Sequence, residues 1–217
     1  MRYDIVLYDF DGTLADTVPV ILQSFQNAFL EVTGHEEDET FLLSTIGLPL
    51  MSAFRDYKDP QVLQNLHDVY VRENKKLLAS SARIFEGVVD GLAAVRDMGV
   101  RQGIVTSKRR DAALFTIRQF GIESFFDTII TREDTQIHKP NPEPILMAMK
   151  KMGITDVSRV LYVGDSIHDL RCAANAGVDS AAVNWTYMPK HELAAEKPVF
   201  WLDRLTDLSC ILSDAEL

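Results

Sequence analysis

The sequence predicts an α/β protein, a doubly wound parallel sheet carrying a small all-α helical cap inserted after its first strand. Three observations lead there. The run Ile5-Val6-Leu7-Tyr8 is continuously apolar, as in a strand buried on both faces, and it stops abruptly on Asp9-Phe10-Asp11-Gly12-Thr13. From Gly87 onward, short β-type runs alternate with amphipathic helical segments that end at glycines. Between these two regions the periodicity is helical only, which interrupts the α/β pattern as an insertion does.

In order, the first strand is followed by a helix with apolar residues at 18, 21, 22, 25, 28 and 29, Pro19 in its first turn and Gly34 as its stop. Residues 36–54 read as one or two short helices broken at Gly47-Leu48-Pro49. Pro60 then opens a long amphipathic helix carrying Val62, Leu66, Val69, Tyr70 and Leu77. Residues 15–82 are therefore assigned to the cap, and 1–14 with 83–217 to the core. The core continues with helices over 88–98, 109–120, 142–153 and 167–176, interleaved with strands over 101–106, 127–131, 160–163 and 180–183. A helix near 191–196, a strand over 199–201 and a helix over 205–212 close the chain.

The 217 residues include 32 acidic and 22 basic side chains, a net charge of −10, and 47% are hydrophobic. Such a chain can bury a sizeable core but offers no basic patch to a nucleic-acid backbone. Lys108-Arg109-Arg110 is the nearest candidate, and it reads as one end of a helix. No apolar stretch reaches the roughly 18 residues of a membrane span, and the chain starts directly in a strand, so a cytoplasmic protein is expected. Cys172 and Cys210 are too few for a disulfide framework or a zinc site, and both read as small core residues. A monomer is the default, with a dimer left open.

The chemistry is expected where the strands end. Asp9 and Asp11 lie on one side of an extended backbone, and close carboxylates repel by about 1 kcal/mol in water and roughly 4 at an effective dielectric of 20. The pair calls for a cation, a proton or both: one acid can attack and ligate, and the other can carry a proton. Thr106-Ser107 ends a strand with hydroxyls and amides, either a phosphate site or an ordinary helix cap. Lys139 sits in the Pro-stiffened run His138-Lys139-Pro140-Asn141-Pro142-Glu143-Pro144, solvated or functional. In Gly164-Asp165-Ser166-Ile167-His168-Asp169 the spacing places Asp165 and Asp169 on one face of a helix N-terminus. All of these fall at carboxyl ends of strands in one sheet, where open α/β sheets bind ligands.

In this order, Asp9-Phe10-Asp11-Gly12-Thr13, Thr106, Lys139 and Gly164-Asp165…Asp169 resemble the four motifs of the haloacid-dehalogenase-like (HAD) phosphatase superfamily, over essentially the whole chain. The insert resembles the small helical cap of its phosphoglycolate-phosphatase and phosphomutase branch. The runs Thr45-Ile46-Gly47-Leu48-Pro49-Leu50, His138 to Pro144 and Asn184-Trp185-Thr186 are similar to bacterial phosphoglycolate phosphatases and inorganic pyrophosphatases.

The resemblance implies a Rossmann-like core in which Asp9 attacks phosphorus and becomes an aspartyl phosphate. Asp11 would protonate the leaving oxygen and then activate water. Mg²⁺ would be held by Asp9, the backbone carbonyl of Asp11, and Asp165, with Asp169 behind them orienting Lys139 or a metal-bound water. Gly12, Thr106, Ser107 and Lys139 would hold the phosphoryl oxygens. Having an acid at Asp11 argues for phosphate ester or anhydride chemistry rather than dehalogenation or C–P cleavage. In the cap, Gly47–Leu50 is a candidate specificity loop, and Arg55 is either a contact for a second anionic group or a solvated surface residue. The expected activity is Mg²⁺-dependent hydrolysis of a small phosphate monoester or of pyrophosphate. Its rivals are a sugar phosphomutase and a regulatory module that keeps the site without the activity.

Overall fold

The computed structural model describes residues 2–213. Strand β1 (Ile5–Tyr8) leads through a tight turn to β2 (Ala15–Asp16) and then into three helices, α1 (Val18–Thr33), α2 (Glu39–Ser44) and α3 (Pro60–Ser81). The chain returns through β3 (Arg83–Ile84) and runs on as α4 (Val88–Asp97), β4 (Arg101–Val105), α5 (Arg110–Gln119), β5 (Thr128–Ile130) and α6 (Glu143–Lys151). It finishes with β6 (Val160–Gly164), α7 (Ile167–Ala176), β7 (Asp179–Val183), α8 (Lys190–Ala195), β8 (Phe200–Leu202) and α9 (Leu208–Leu212).

Six strands form one parallel sheet in the order β5-β4-β1-β6-β7-β8. The chain winds outward from β1 through β4 to β5, then crosses back to lay β6 on the other side of β1. The winding therefore reverses around β1, and the carboxyl ends of β4, β1 and β6 open onto one crevice. Period-two alternation divides β1 between two cores. Val6 and Tyr8 pack with Leu92 and Val95 of α4 and Ile117 of α5, whereas Ile5 and Leu7 pack with Ile145 and Met149 of α6 and Ala173 of α7.

The helical excursion has its own core of Phe25, Phe29, Phe54 and Leu66, and it continues onto Leu170 and Leu193 of the sheet-bearing part. The rings of Phe25 and Phe29 meet Phe54 edge-on at 5.8 and 5.6 Å. Gly34 stops α1 in the left-handed conformation, and Asp59 caps α3 by accepting from the Gln61 amide.

Three expectations change. Residues 15–82 are not helical throughout, because Ala15–Asp16 pairs antiparallel with Arg83–Ile84 where the excursion leaves and re-enters. Two-residue strands have no periodicity to read. The closing helix is shorter than expected, since Leu205–Asp207 forms a 3₁₀ turn before α9. Cys172 is buried as expected, but Cys210 is exposed, on the outer face of a helix only five residues long. Among the described residues no helix is long and apolar enough to cross a membrane.

Candidate active site

The crevice is built from the turns at the carboxyl ends of the central strands. Past the end of β1, the Asp9 amide still donates to the Val163 carbonyl at 2.9 Å, so Asp9 is held beside β6. The chain then folds back, the Leu14 and Ala15 amides both donating to the Phe10 carbonyl. Gly12 makes this turn at φ +84°, and a Cβ there would sit 2.2 Å from Asp165 Oδ2. Only glycine permits both the backbone and the approach. Thr13 Oγ1 donates to Asp165 Oδ1 at 3.0 Å, Thr186 Oγ1 to the Asp165 carbonyl at 2.7 Å, and Trp185 Nε1 to the Thr13 carbonyl at 3.0 Å. Trp185 and Thr186, in the sequence run after β7, thus brace the two acidic turns together.

Asp165 and Asp169 do not share a helical face. Ser166 takes the N-cap and α7 begins at Ile167, which leaves Asp165 outside the helix and Asp169 at its third position. Asp169 uses both oxygens on donors. Oδ1 accepts from Lys139 Nζ (2.7 Å) and the Tyr162 hydroxyl (3.1 Å), and Oδ2 from the Ser166 amide (3.1 Å) and hydroxyl (2.6 Å). Gly164 permits this, since a Cβ there would lie 2.4 Å from Asp169 Cβ. Lys139 Nζ also donates to Asp9 Oδ1 at 2.7 Å and lies 5.3 Å from the Tyr162 ring centre, with its side chain 1% exposed. Its loop is anchored from α7, where Asn175 Nδ2 donates to the Pro140 carbonyl and the Cys172 thiol to that of Asn141.

Asp9, Asp165 and Asp169 offer carboxylate oxygens within 4.8 Å of one another. One buried ammonium faces these three acids. Burial, opposed by Lys139, pushes the Asp9 carboxyl up to about 7. Burial and the neighbouring carboxylates raise that of Asp165 well above its ordinary value. Asp169 is held below the ordinary range despite its burial, because Lys139 and Ser166 bond to its charged form. The excess negative charge and all-oxygen donor set suit a hard divalent cation. With Asp169 fully occupied by protein donors, Asp9 and Asp165 are the carboxylates left to hold one. The Asp11 carbonyl accepts no backbone bond among the described residues.

Asp11 lies apart from the three-acid group. Its Oδ1 accepts from Thr17 Oγ1 at 2.5 Å and from Lys108 Nζ at 2.8 Å. Lys108 is thus not simply a helix end: α5 starts at Arg110, and Lys108 turns inward, its side chain only 7% exposed. Sequence reasoning misses this contact. The available signal is its position two residues beyond Thr106, at the end of a strand that neighbours β1. Thr106 caps that turn by accepting from the Lys108 amide at 3.2 Å. The Ser107 hydroxyl donates to the Gly47 carbonyl at 2.6 Å, while the Ser107 amide has no protein acceptor among the described residues.

A cavity of about 70 Å³ lies over Asp9 and Asp11, floored by Thr106, Ser107 and Lys108 and roofed by Ile46 to Leu50 of the excursion. Arg55 does not reach it. Its guanidinium stacks on the Phe41 ring at 4.7 Å and its side chain is 64% exposed, because the 3₁₀ turn Leu50–Phe54 turns it outward.

Residues 6–183 match the family model described as haloacid dehalogenase-like hydrolase. A protein named pyrophosphatase PpaX from Bacillus pumilus is 33% identical over 207 residues, spanning 95% of each chain. Another of that name from Bacillus cereus is 32% identical over 214 residues, spanning 99% of this chain and 98% of its own. Among solved structures, a predicted phosphoglycolate phosphatase from Haemophilus somnus superposes with a TM-score of 0.86 at 21% identity, covering 98% of this chain and 99% of that one. The match of nearly the whole α/β core to that model, with relatives this similar end to end, makes this chain a member of the haloacid dehalogenase-like hydrolase family.

Proposed function

We propose that this hydrolase cleaves a small phosphoryl compound, pyrophosphate or a phosphate monoester of similar size, through an aspartyl phosphate on Asp9. One observation carries the reading. Asp9 is a buried carboxylate with Oδ1 held by the Lys139 ammonium and Oδ2 without a protein donor among the described residues, lining a cavity of about 70 Å³. The free oxygen attacks phosphorus and the P–O bond to the leaving group breaks, so one difficult displacement becomes two easier ones. Asp11, which lines the same cavity as Asp9, delivers a proton to the leaving oxygen and then takes one from the water that opens the acyl phosphate. Lys139 and the Ser107 amide bear the phosphoryl oxygens as charge shifts in the transition state. A Mg²⁺ held by Asp9, Asp165 and the Asp11 carbonyl supplies, when bound, neutralisation of the approaching phosphate.

The names of the relatives favour pyrophosphate over other substrates of this size. Residues 15–82 act as the cap, and closure through the Ser107–Gly47 contact excludes water from the reacting atoms.

The test is phosphate release from pyrophosphate and from a panel of small monoesters with Mg²⁺, for the parent protein and for Asp9→Asn. The variant is expected to lose more than about 10⁴ in kcat while remaining folded. Turnover within tenfold of the parent would remove the covalent mechanism. Sugar phosphate isomerised under activation by a bisphosphorylated sugar, without net phosphate release, would turn the reading to group transfer.

A further inference from the structure

Beside Asp11 the cleft holds two cations that the reaction as described leaves unused. We propose that Lys108, with Arg109 next to it, forms a subsite for a second anionic group carried on the leaving group, of the size and charge of a phosphate. This inference rests on the phosphohydrolase reading above.

Lys108 carries an under-used ammonium. Its side chain is 93% buried, yet among the described residues its Nζ has one acceptor, Asp11 Oδ1, for three protons. That acceptor is shared with Thr17 Oγ1. A buried ammonium with so few bonds is costly unless further acceptors arrive, and the open side of Lys108 is the cavity. Arg109 lines the same cavity. One of its terminal nitrogens bonds Asp111 at 3.1 Å and another approaches His67 Nε2 at 3.4 Å.

Position then names the chemistry. Asp11 is the residue that serves the leaving oxygen, so a cation in contact with Asp11 stands just beyond the bond that breaks. In a phosphoanhydride that position holds the anionic oxygens of the second phosphorus. In an alkyl ester it holds an uncharged carbon. The cavity of about 70 Å³ is bounded above by Ile46 to Leu50. The Ser107–Gly47 hydrogen bond fixes the roof at that height.

The test compares pyrophosphate with acetyl phosphate, a small substrate whose leaving group is good but has no second anion before cleavage. Binding of methylenediphosphonate, measured calorimetrically in the presence of Mg²⁺, gives a readout independent of turnover. Lys108→Met is expected to raise KM for pyrophosphate roughly 10- to 100-fold and to weaken methylenediphosphonate by a similar factor, as loss of a hydrogen bond between charged groups does. KM for acetyl phosphate is expected to rise at least tenfold less, and Lys108→Arg to retain most of the pyrophosphate affinity. Should Lys108→Met fail to fold, Lys108→Gln keeps a donor to Asp11 without the charge and is read in the same way. Equal losses on both substrates would overturn the subsite, because Lys108 would then act only through Asp11. A parent protein that hydrolyses acetyl phosphate but neither hydrolyses pyrophosphate nor binds methylenediphosphonate would also overturn it, leaving the phosphohydrolase reading intact. A parent protein inactive on every phosphoryl compound would overturn both.

Discussion

Replacing Asp169 with Asn tests whether this carboxylate anchors the site or is merely tolerated there. Its four contacts all come from donors, two on each oxygen. An amide can turn its NH₂ toward Lys139 and Tyr162 or toward Ser166, and the two hydroxyls can rotate to accept. The Lys139 ammonium and the Ser166 amide cannot accept, so either orientation leaves one obligate donor facing another. The variant also removes one of the two carboxylates paired with a buried lysine. Breaking a buried pair by removing one partner costs about 3–5 kcal/mol. Relief of repulsion with Asp9 and Asp165 offsets part of that, so about 3 kcal/mol is expected. With a urea m-value of roughly 2–3 kcal/mol/M for a chain of this size, the midpoint at pH 7 without divalent ions should fall by about 1–1.5 M. A fall below about 0.3 M would refute the reasoning.

Three further outcomes are expected from particular contacts. Gly12→Ala should cost at least a hundredfold in kcat, because its Cβ would meet Asp165 Oδ2 at 2.2 Å; Gly34→Ala, at a similar φ with nothing within 4 Å, should lose only about 1 kcal/mol of stability and no activity. Burial raises the Asp134 carboxyl, but the Thr131 amide and hydroxyl with Lys151 and Arg110 outweigh it and hold it at about 2. The folded value lies below the ordinary 3.8, so this stabilisation is present above about pH 4 and is lost as pH falls toward 2. Asp134→Asn should thus cost about 1 kcal/mol at pH 7 after solvent screening, and urea titrations should find the gap closing below about pH 3. The Cys172 thiol is buried and pushed up to about 12, whereas Cys210 is exposed. A thiol reagent at pH 8 should therefore label one site in the native protein and both in urea, as read by mass spectrometry.

Elements with a strong period were legible: β1, the alternating strands and helices after Gly87, and the long helix from Pro60 all arise from apolar spacing and glycine stops. So were Asp9, Asp11 and Asp165, because each follows an apolar run with a charge that a core strand would not otherwise carry, whereas Lys139 is marked only by its Pro-stiffened loop. Contacts fixed by strand order were not legible. Lys108 meets Asp11 because β4 lies beside β1, and nothing in either segment announces that neighbour. The assignment of Asp165 and Asp169 to one helical face fails by a single residue, since Ser166 forms the capping box with Asp169 and the helix starts after it, while the Asp165 carboxylate accepts from Thr13. Of the two readings open for Arg55, an anion contact or a solvated surface residue, the structure bears out the second, because the 3₁₀ turn Leu50–Phe54 rotates it onto Phe41.

The ribbon formed by Ala15–Asp16 and Arg83–Ile84 has a topological consequence. Departure and return run side by side, roughly 5 Å apart as antiparallel partners are. Everything between them is a closed detour, and its length does not enter the path of the sheet. Residues can be added or removed along it while the order β5-β4-β1-β6-β7-β8 and the acids at its centre stay as they are. Selection can thus reshape the roof over the crevice without renegotiating the floor.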